Sequence, residues 1–141
     1  MICRLLRGGA IPVQRLILEN APPTRAPYSH AAVAGGFIFI SGQGPFTLDD
    51  QLVEGPFAEQ AIRTFENVQL VLEGAGAGLE DIVRVGIYLR DMANFPELNQ
   101  VYADFFPYPY PARTCIPSPL PRFELEVDAV AFVGEGASSD R

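Results

Sequence analysis

The chain has 141 residues, 48% hydrophobic and 19% charged, with a formal net charge of −7; this is the size of one domain whose core can form without disulfides or a structural metal. Its ten cationic side chains are all arginine and lie scattered, so a lysine Schiff base and a P-loop lysine are excluded, and neither nucleic acid nor an anionic membrane finds a basic patch to bind. One histidine, His30, and two cysteines, Cys3 and Cys115, leave no zinc set of the usual kind and no disulfide framework, so a reduced, cytoplasmic setting is expected.

Residues 1–13 carry Arg4 and Arg7 around an apolar stretch too short for a signal peptide. They are read as an N-terminal extension before a domain at 14–134, with a tail at 135–141. Nothing approaches the ~20 apolar residues of a membrane span. A short strand is predicted at 15–19, an extended proline-bearing loop at 20–27, and a second strand at 30–34. Gly35-Gly36 is a hairpin turn signal before the aromatic and β-branched strand at 37–41. After a loop at 42–56, apolar residues at steps of three and four (Phe57, Ala61, Phe65, Val68, Leu72) predict a helix over 57–73, ended by Gly74-Ala75-Gly76. A buried-type strand follows at 82–89. Asn94 is placed to cap a second helix running to about residue 106, with the stripe Phe95, Leu98, Val101, Tyr102 and Phe105. The stiff loop F-P-Y-P-Y-P at 106–111 leads to a strand at 112–116. Three prolines make 117–121 irregular, and 123–133 alternates as a final strand.

The order β-β-β-α-β-α-β-β defines an α+β domain, a sheet with both helices on one face. Apolar residues on the opposite, open face favour self-association.

Several side chains carry possible chemistry. Arg113 begins a strand behind the rigid Y-P-A segment, where its planar fork suits a carboxylate or a plain salt bridge at a strand end. Cys115, on the same face, reads as a small buried hydrophobe, although its backbone carbonyl can orient a water. Glu124 and Glu126 share one face of the last strand. They are solvated unless a neighbouring subunit covers them, and burial of Glu126 would raise its pKa and suit it to proton transfer. Tyr28-Ser29 and Ser41-Gly42-Gln43 are turn elements or ligand contacts, with Gly42 able to admit a ligand against the backbone. His30 has no acidic neighbour and is read as structural or supporting.

These segments together resemble the Rid family, the reactive intermediate deaminases also called the YjgF family. The carrying motifs are A-P-Y-S-H at 26–30, I-S-G-Q at 40–43, F-E-N-V-Q-L-V-L-E-G-A-G at 65–76, N-F-P-E-L-N-Q-V-Y-A-D-F-F at 94–106, Y-P-A-R-T-C at 110–115 and E-L-E-V-D-A-V-A at 124–131. The resemblance implies a chorismate-mutase-like fold with a mixed sheet, assembled as a homotrimer with active sites between subunits. It implies cofactor-free and metal-free hydrolysis of 2-aminoacrylate-type enamine and imine acids to a 2-keto acid and ammonia. By position, Arg113 would hold the substrate carboxylate, Glu126 would position and activate water, and the carbonyl of Cys115 would assist. Tyr28, Ser41, Gly42 and Asn99 would line the cleft, with Phe105 and Phe106 as its apolar wall. The sequence departs from the family at Ala26 (commonly Gly), at Gly44 (usually an apolar side chain), and at Pro117 and Pro119. These changes bear on the cleft rim and leave a larger imine substrate open. The alternatives are a regulatory or chaperone-like carboxylate-binding trimer, an endoribonuclease, against which the acidic charge argues, and a chorismate mutase.

Overall fold

The structure, a computed structural model, describes residues 12–134. Most of the expected N-terminal extension, the tail at 135–141 and Cys3 lie outside the described residues.

Eight main elements follow the expected order: β1 (Gln14–Leu16), β2 (Ala31–Ala34), β3 (Phe37–Gln43), α1 (Phe57–Gly74), β4 (Ile82–Leu89), α2 (Phe95–Phe105), β5 (Ala112–Pro117) and β6 (Leu125–Phe132). The six strands form one mixed sheet in the order β1-β2-β3-β6-β4-β5. Only the β4–β5 pair is parallel, and α2 supplies the crossover that a parallel pair needs. The β2–β3 hairpin turns on Gly35 and Gly36, both with positive φ (57° and 84°), as a two-residue turn matched to strand twist requires.

Strand parity sorts the side chains. Ile38 and Ile40 of β3, Val85, Ile87 and Leu89 of β4, and Leu125, Val127, Ala129 and Ala131 of β6 are buried beneath the helices. From α1 they meet Ala61, Phe65, Val68, Val71 and Leu72, all inaccessible to solvent. Phe65 is the hub, with the rings of Tyr102, Phe105 and Phe106 at 5.8, 5.6 and 5.1 Å. Among the described residues no helix lies over the other face. Phe37, Phe39 and Phe132 stand on it 39%, 48% and 44% exposed, with Phe37 and Phe132 paired across β3 and β6 at 4.7 Å.

Several expectations are corrected: β1 ends at Leu16 and not at residue 19, β3 runs on to Gln43 through the expected turn, and β6 spans Leu125–Phe132 and not 123–133. Asn94 makes no side-chain cap. Pro96 sits in the first turn of α2, and the capping carboxylate belongs to Asp91, which accepts from the Ala93 N–H at 2.9 Å at the start of a preceding 3₁₀ turn. β5 also runs one residue past its expected end, with Pro117 opposite Leu89. An edge strand tolerates the missing N–H, and Ser118 N–H continues the pairing to the Leu89 carbonyl at 2.8 Å.

His30 is buried and structural. Its Nδ1 accepts from the Leu18 N–H at 3.0 Å, and its Nε2 lies 2.7 Å from the Pro22 carbonyl. Nε2 therefore carries the proton and donates it. The single histidine thus fastens the segment after β1 to the start of β2. Replacing His30 with Ala strands both backbone groups and leaves a cavity; a loss of about 2–4 kcal/mol is expected in urea denaturation, and a loss below about 1 kcal/mol would refute this role.

Candidate active site

Arg113 and Cys115 of β5 pair with Val85 and Ile87 of β4, so their side chains point to the helix-covered side. There Arg113 Nη2 donates to Asn99 Oδ1 at 2.7 Å. The guanidinium lies 4.8 Å from the Tyr102 ring and 5.7 Å from Phe95. Phe95, Asn99 and Tyr102 recur at steps of four and three on α2, which puts all three on one face of the helix. Two aromatic faces and one amide oxygen thus orient the fork and leave further N–H donors of the guanidinium for a ligand. Burial pushes the Cys115 thiol up, opposed by Arg113, so its sulfur is suited to packing and not to attack.

The expected walls are distributed differently around this arginine. Phe106 is buried and stacked behind Tyr102, with centroids 4.3 Å apart. Phe105 packs on Phe65 and faces a groove with Ile62 and Val101. Tyr102 and Phe95 are the aromatic residues in contact with the guanidinium. Both belong to the apolar stripe of α2, and their shared spacing with Asn99 is the signal in the sequence that brings them to Arg113.

Glu126 lies across the sheet. It pairs with Tyr88 between β4 and β6, three residues along β4 from Val85, so it points to the open face. Half-buried there, its carboxyl is pushed above the usual range, first by desolvation and then by the nearby Asp128. Asp128 in turn accepts from the Tyr88 hydroxyl at 3.1 Å. A Cβ on Gly42 would stand 2.8 Å from the Glu126 carboxyl carbon, so a larger residue there would push this carboxyl aside. Tyr28, Gly42 and Glu126 line a cavity of about 150 Å³. Ser41 donates to the Ser29 carbonyl at 2.6 Å and lines an adjoining shallow depression with Tyr28 and Phe39.

The expected site residues therefore fall into two groups on opposite sides of one sheet. Arg113, Asn99 and Cys115 form one; Tyr28, Ser41, Gly42 and Glu126 form the other.

A polar stripe on α1, missed in the sequence, braces the second group. Asn67, fully buried, donates from Nδ2 to the carbonyls of Gly44 and Phe46, both at 2.8 Å. Arg63 donates to the Phe46 carbonyl and to Asn67 Oδ1, each at 2.9 Å. Gln60 Oε1 accepts from the Glu124 N–H at 2.9 Å. The spacing 60, 63, 67 was visible, but it resembled a solvated helix face. Asn67→Leu removes one donor from each of the Gly44 and Phe46 carbonyls, takes the Oδ1 acceptor from Arg63, and puts a bulkier apolar side chain in a fully buried polar setting. It should lower stability by about 2–4 kcal/mol in chemical denaturation, and an unchanged midpoint would show that the clamp is dispensable.

Among the described residues no cluster of His, Cys, Asp and Glu is arranged to hold a metal ion, and no helix is long and apolar enough to cross a membrane.

The family model described as Endoribonuclease L-PSP matches residues 18–133. The chain is 39% identical over 129 residues to the mitochondrial protein MMF1 of Saccharomyces cerevisiae, covering 90% of this chain and 89% of that one. The crystal structure of yeast Mmf1 superposes with a TM-score of 0.82 at 38% identity, over 86% of this chain and 98% of its own. The 3-aminoacrylate deaminase RutC of Acinetobacter baylyi is 36% identical over 126 residues, 87% of this chain and all of the relative (100%). A 2-iminobutanoate/2-iminopropanoate deaminase of Dermatophagoides farinae is 34% identical over 116 residues, 80% of this chain and 91% of its own. The fold and the motifs define a Rid-type α+β domain. The chain belongs to this family, the Rid or YjgF family.

Proposed function

We propose that the protein is a cofactor-free deaminase that hydrolyses reactive 2-imino acids and their enamine tautomers to 2-keto acids and ammonia. The observation that carries this reading is the division of the site residues by the sheet. A carboxylate anchor stands on one side and a carboxyl with a raised pKa on the other, each with its own supports. Face-to-edge assembly of copies would join Arg113 of one chain to Glu126 of the next. A homotrimer closes such a head-to-tail contact, and the exposed Phe37, Phe39 and Phe132 supply an apolar surface for it.

In this mechanism Arg113 grips the substrate carboxylate through two parallel hydrogen bonds and fixes the imine carbon. Glu126 accepts a proton as water adds to that carbon. The tetrahedral carbinolamine then expels ammonia, with Glu126 returning the proton to nitrogen. The carbonyl of Cys115 assists in orienting the water, and Tyr28, Ser41 and Gly42 line the cleft. The imine is already electrophilic, so these groups need only position it and move protons. The deaminase names of two relatives support the same reaction class. RNA cleavage fits less well, since the net charge is −7 and both ring nitrogens of His30 are engaged by backbone groups.

The test is to generate 2-iminopropanoate and 2-iminobutanoate in situ with an amino-acid oxidase. Keto acid and ammonia should then appear in step, faster than in buffer alone. A rate equal to the buffer rate would contradict the proposal.

A further inference from the structure

The cavity beside Glu126 has walls that the proposed reaction does not use. Gly44 has no side chain to fill it, and the space at its Cβ position is closed by two rings, Phe46 at 3.0 Å and Phe123 at 3.4 Å. Phe46 and Phe123 meet edge to face, with centroids 5.5 Å apart and planes at 83°. On Phe46 lies the Arg25 guanidinium, 3.6 Å from the ring centroid. Arg25 is itself ion-paired with Asp50, so its charge is already answered. Both residues of the pair, with Tyr28, line the same cavity.

We infer that this cavity is a side-chain pocket selecting 2-imino acids that carry an aryl group. The inference rests on the deaminase reading, because Glu126, which forms one wall, would place the imine carbon at the pocket mouth. The shape argues for it: about 150 Å³ is the volume of a protein cavity that takes one benzene ring. The lining argues for it too, because Tyr28, Phe46 and Phe123 offer ring faces and edges to another ring. The pairing of Arg25 with Asp50 weakens the pull of either group on a charged substrate side chain. The reaction is unchanged and balanced: a 2-imino-3-arylpropanoate and water give the 2-oxo-3-arylpropanoate and ammonia. The carbon–oxygen bond forms, the carbon–nitrogen bond breaks, and the protons of water go to nitrogen.

Imines generated from phenylalanine and from 2-aminobutanoate should be compared on the full chain, and phenylpyruvate and 2-oxobutanoate titrated calorimetrically. The expected result is a kcat/KM for the aryl imine about 10- to 100-fold above that of the small one, with phenylpyruvate binding at least about tenfold tighter. Gly44→Ile, whose side chain must displace the Phe46 ring, should lower the aryl-to-small ratio by at least about tenfold. Phe46→Leu should lower it in the same direction, and thermal melts report whether each variant folds. Equal or reversed preference in turnover and binding would overturn the pocket while leaving the deaminase reading intact. Turnover of neither imine, with phenylpyruvate still preferred in binding, would overturn the deaminase reading and support the pocket.

Discussion

Replacing Arg113 with Ala is expected to lower kcat/KM for a small imino acid by about 10²- to 10³-fold, while the melting temperature moves by less than about 3 °C. The size follows from losing a charge-assisted, bidentate anchor, on the order of 3–4 kcal/mol at about 1.4 kcal/mol per factor of ten. The small effect on stability follows from the setting. Arg113 sits on the edge strand β5, and its partners are one amide oxygen and two ring faces, contacts worth about 1 kcal/mol together where water still reaches them. Arg113→Lys should recover little, because a point charge cannot reproduce the planar fork. Steady-state kinetics beside a thermal melt would check both halves. A variant that melts far lower, or that keeps its activity, contradicts the assignment.

Glu126→Gln is expected to reduce kcat by about 10²- to 10⁴-fold, the usual contribution of a positioned acid–base group. The same change should make the protein more stable at neutral pH. Burial and Asp128 raise the folded-state pKa of Glu126. Between the unfolded pKa, about 4.3 for a glutamate, and the raised folded value, the folded protein binds more protons than the unfolded one. Stability therefore falls as pH rises through that window. Above it, the native carboxylate carries its full penalty, which glutamine removes. The melting temperature of Glu126→Gln should exceed that of the unaltered protein at pH 7, with the difference closing as pH falls toward 4. A gain that persists at pH 4, or a loss at pH 7, would contradict a desolvated carboxylate at this position.

The fold was largely legible because its signals are local. The steps of α1 from Phe57 to Leu72, the Gly35-Gly36 turn and the alternation of β6 each announce themselves within a few residues. The misplaced cap at Asn94 has a local cause as well. Asp91 caps a separate 3₁₀ turn that ends at Asn94, and Pro96 in the first turn of α2 removes one of the N–H groups an Asn94 cap would take. Pro117 in β5 depended on a non-local fact, that β5 is an edge strand.

The strands and helix that carry the candidate site residues were legible in the sequence, but the arrangement of those residues about the sheet was not. Arg113 and Cys115 share a face by simple alternation. That Arg113 and Glu126 take opposite faces needs the registers of β5 on β4 and of β4 on β6. The braces Gln60, Arg63 and Asn67 occupy helix positions that look like an ordinary polar face. Gln60 and Asn67 are buried, with Arg63 partly covered beside them, because the chain at Glu124 and the loop through Gly44 and Phe46 lie against this face, and nothing within α1 announces those contacts.

The central claim is that one working site draws Arg113 and Glu126 from different copies of the chain. Mixing Arg113→Ala with Glu126→Gln, each nearly inactive, tests it directly. After equimolar mixing and subunit exchange in a ring of head-to-tail contacts, roughly one cleft in four unites an intact Arg113 with an intact Glu126. The account predicts recovery of about a quarter of the unaltered protein's activity. A mixture no more active than the two variants measured separately, with exchange confirmed, would place both residues in one chain's site and contradict it.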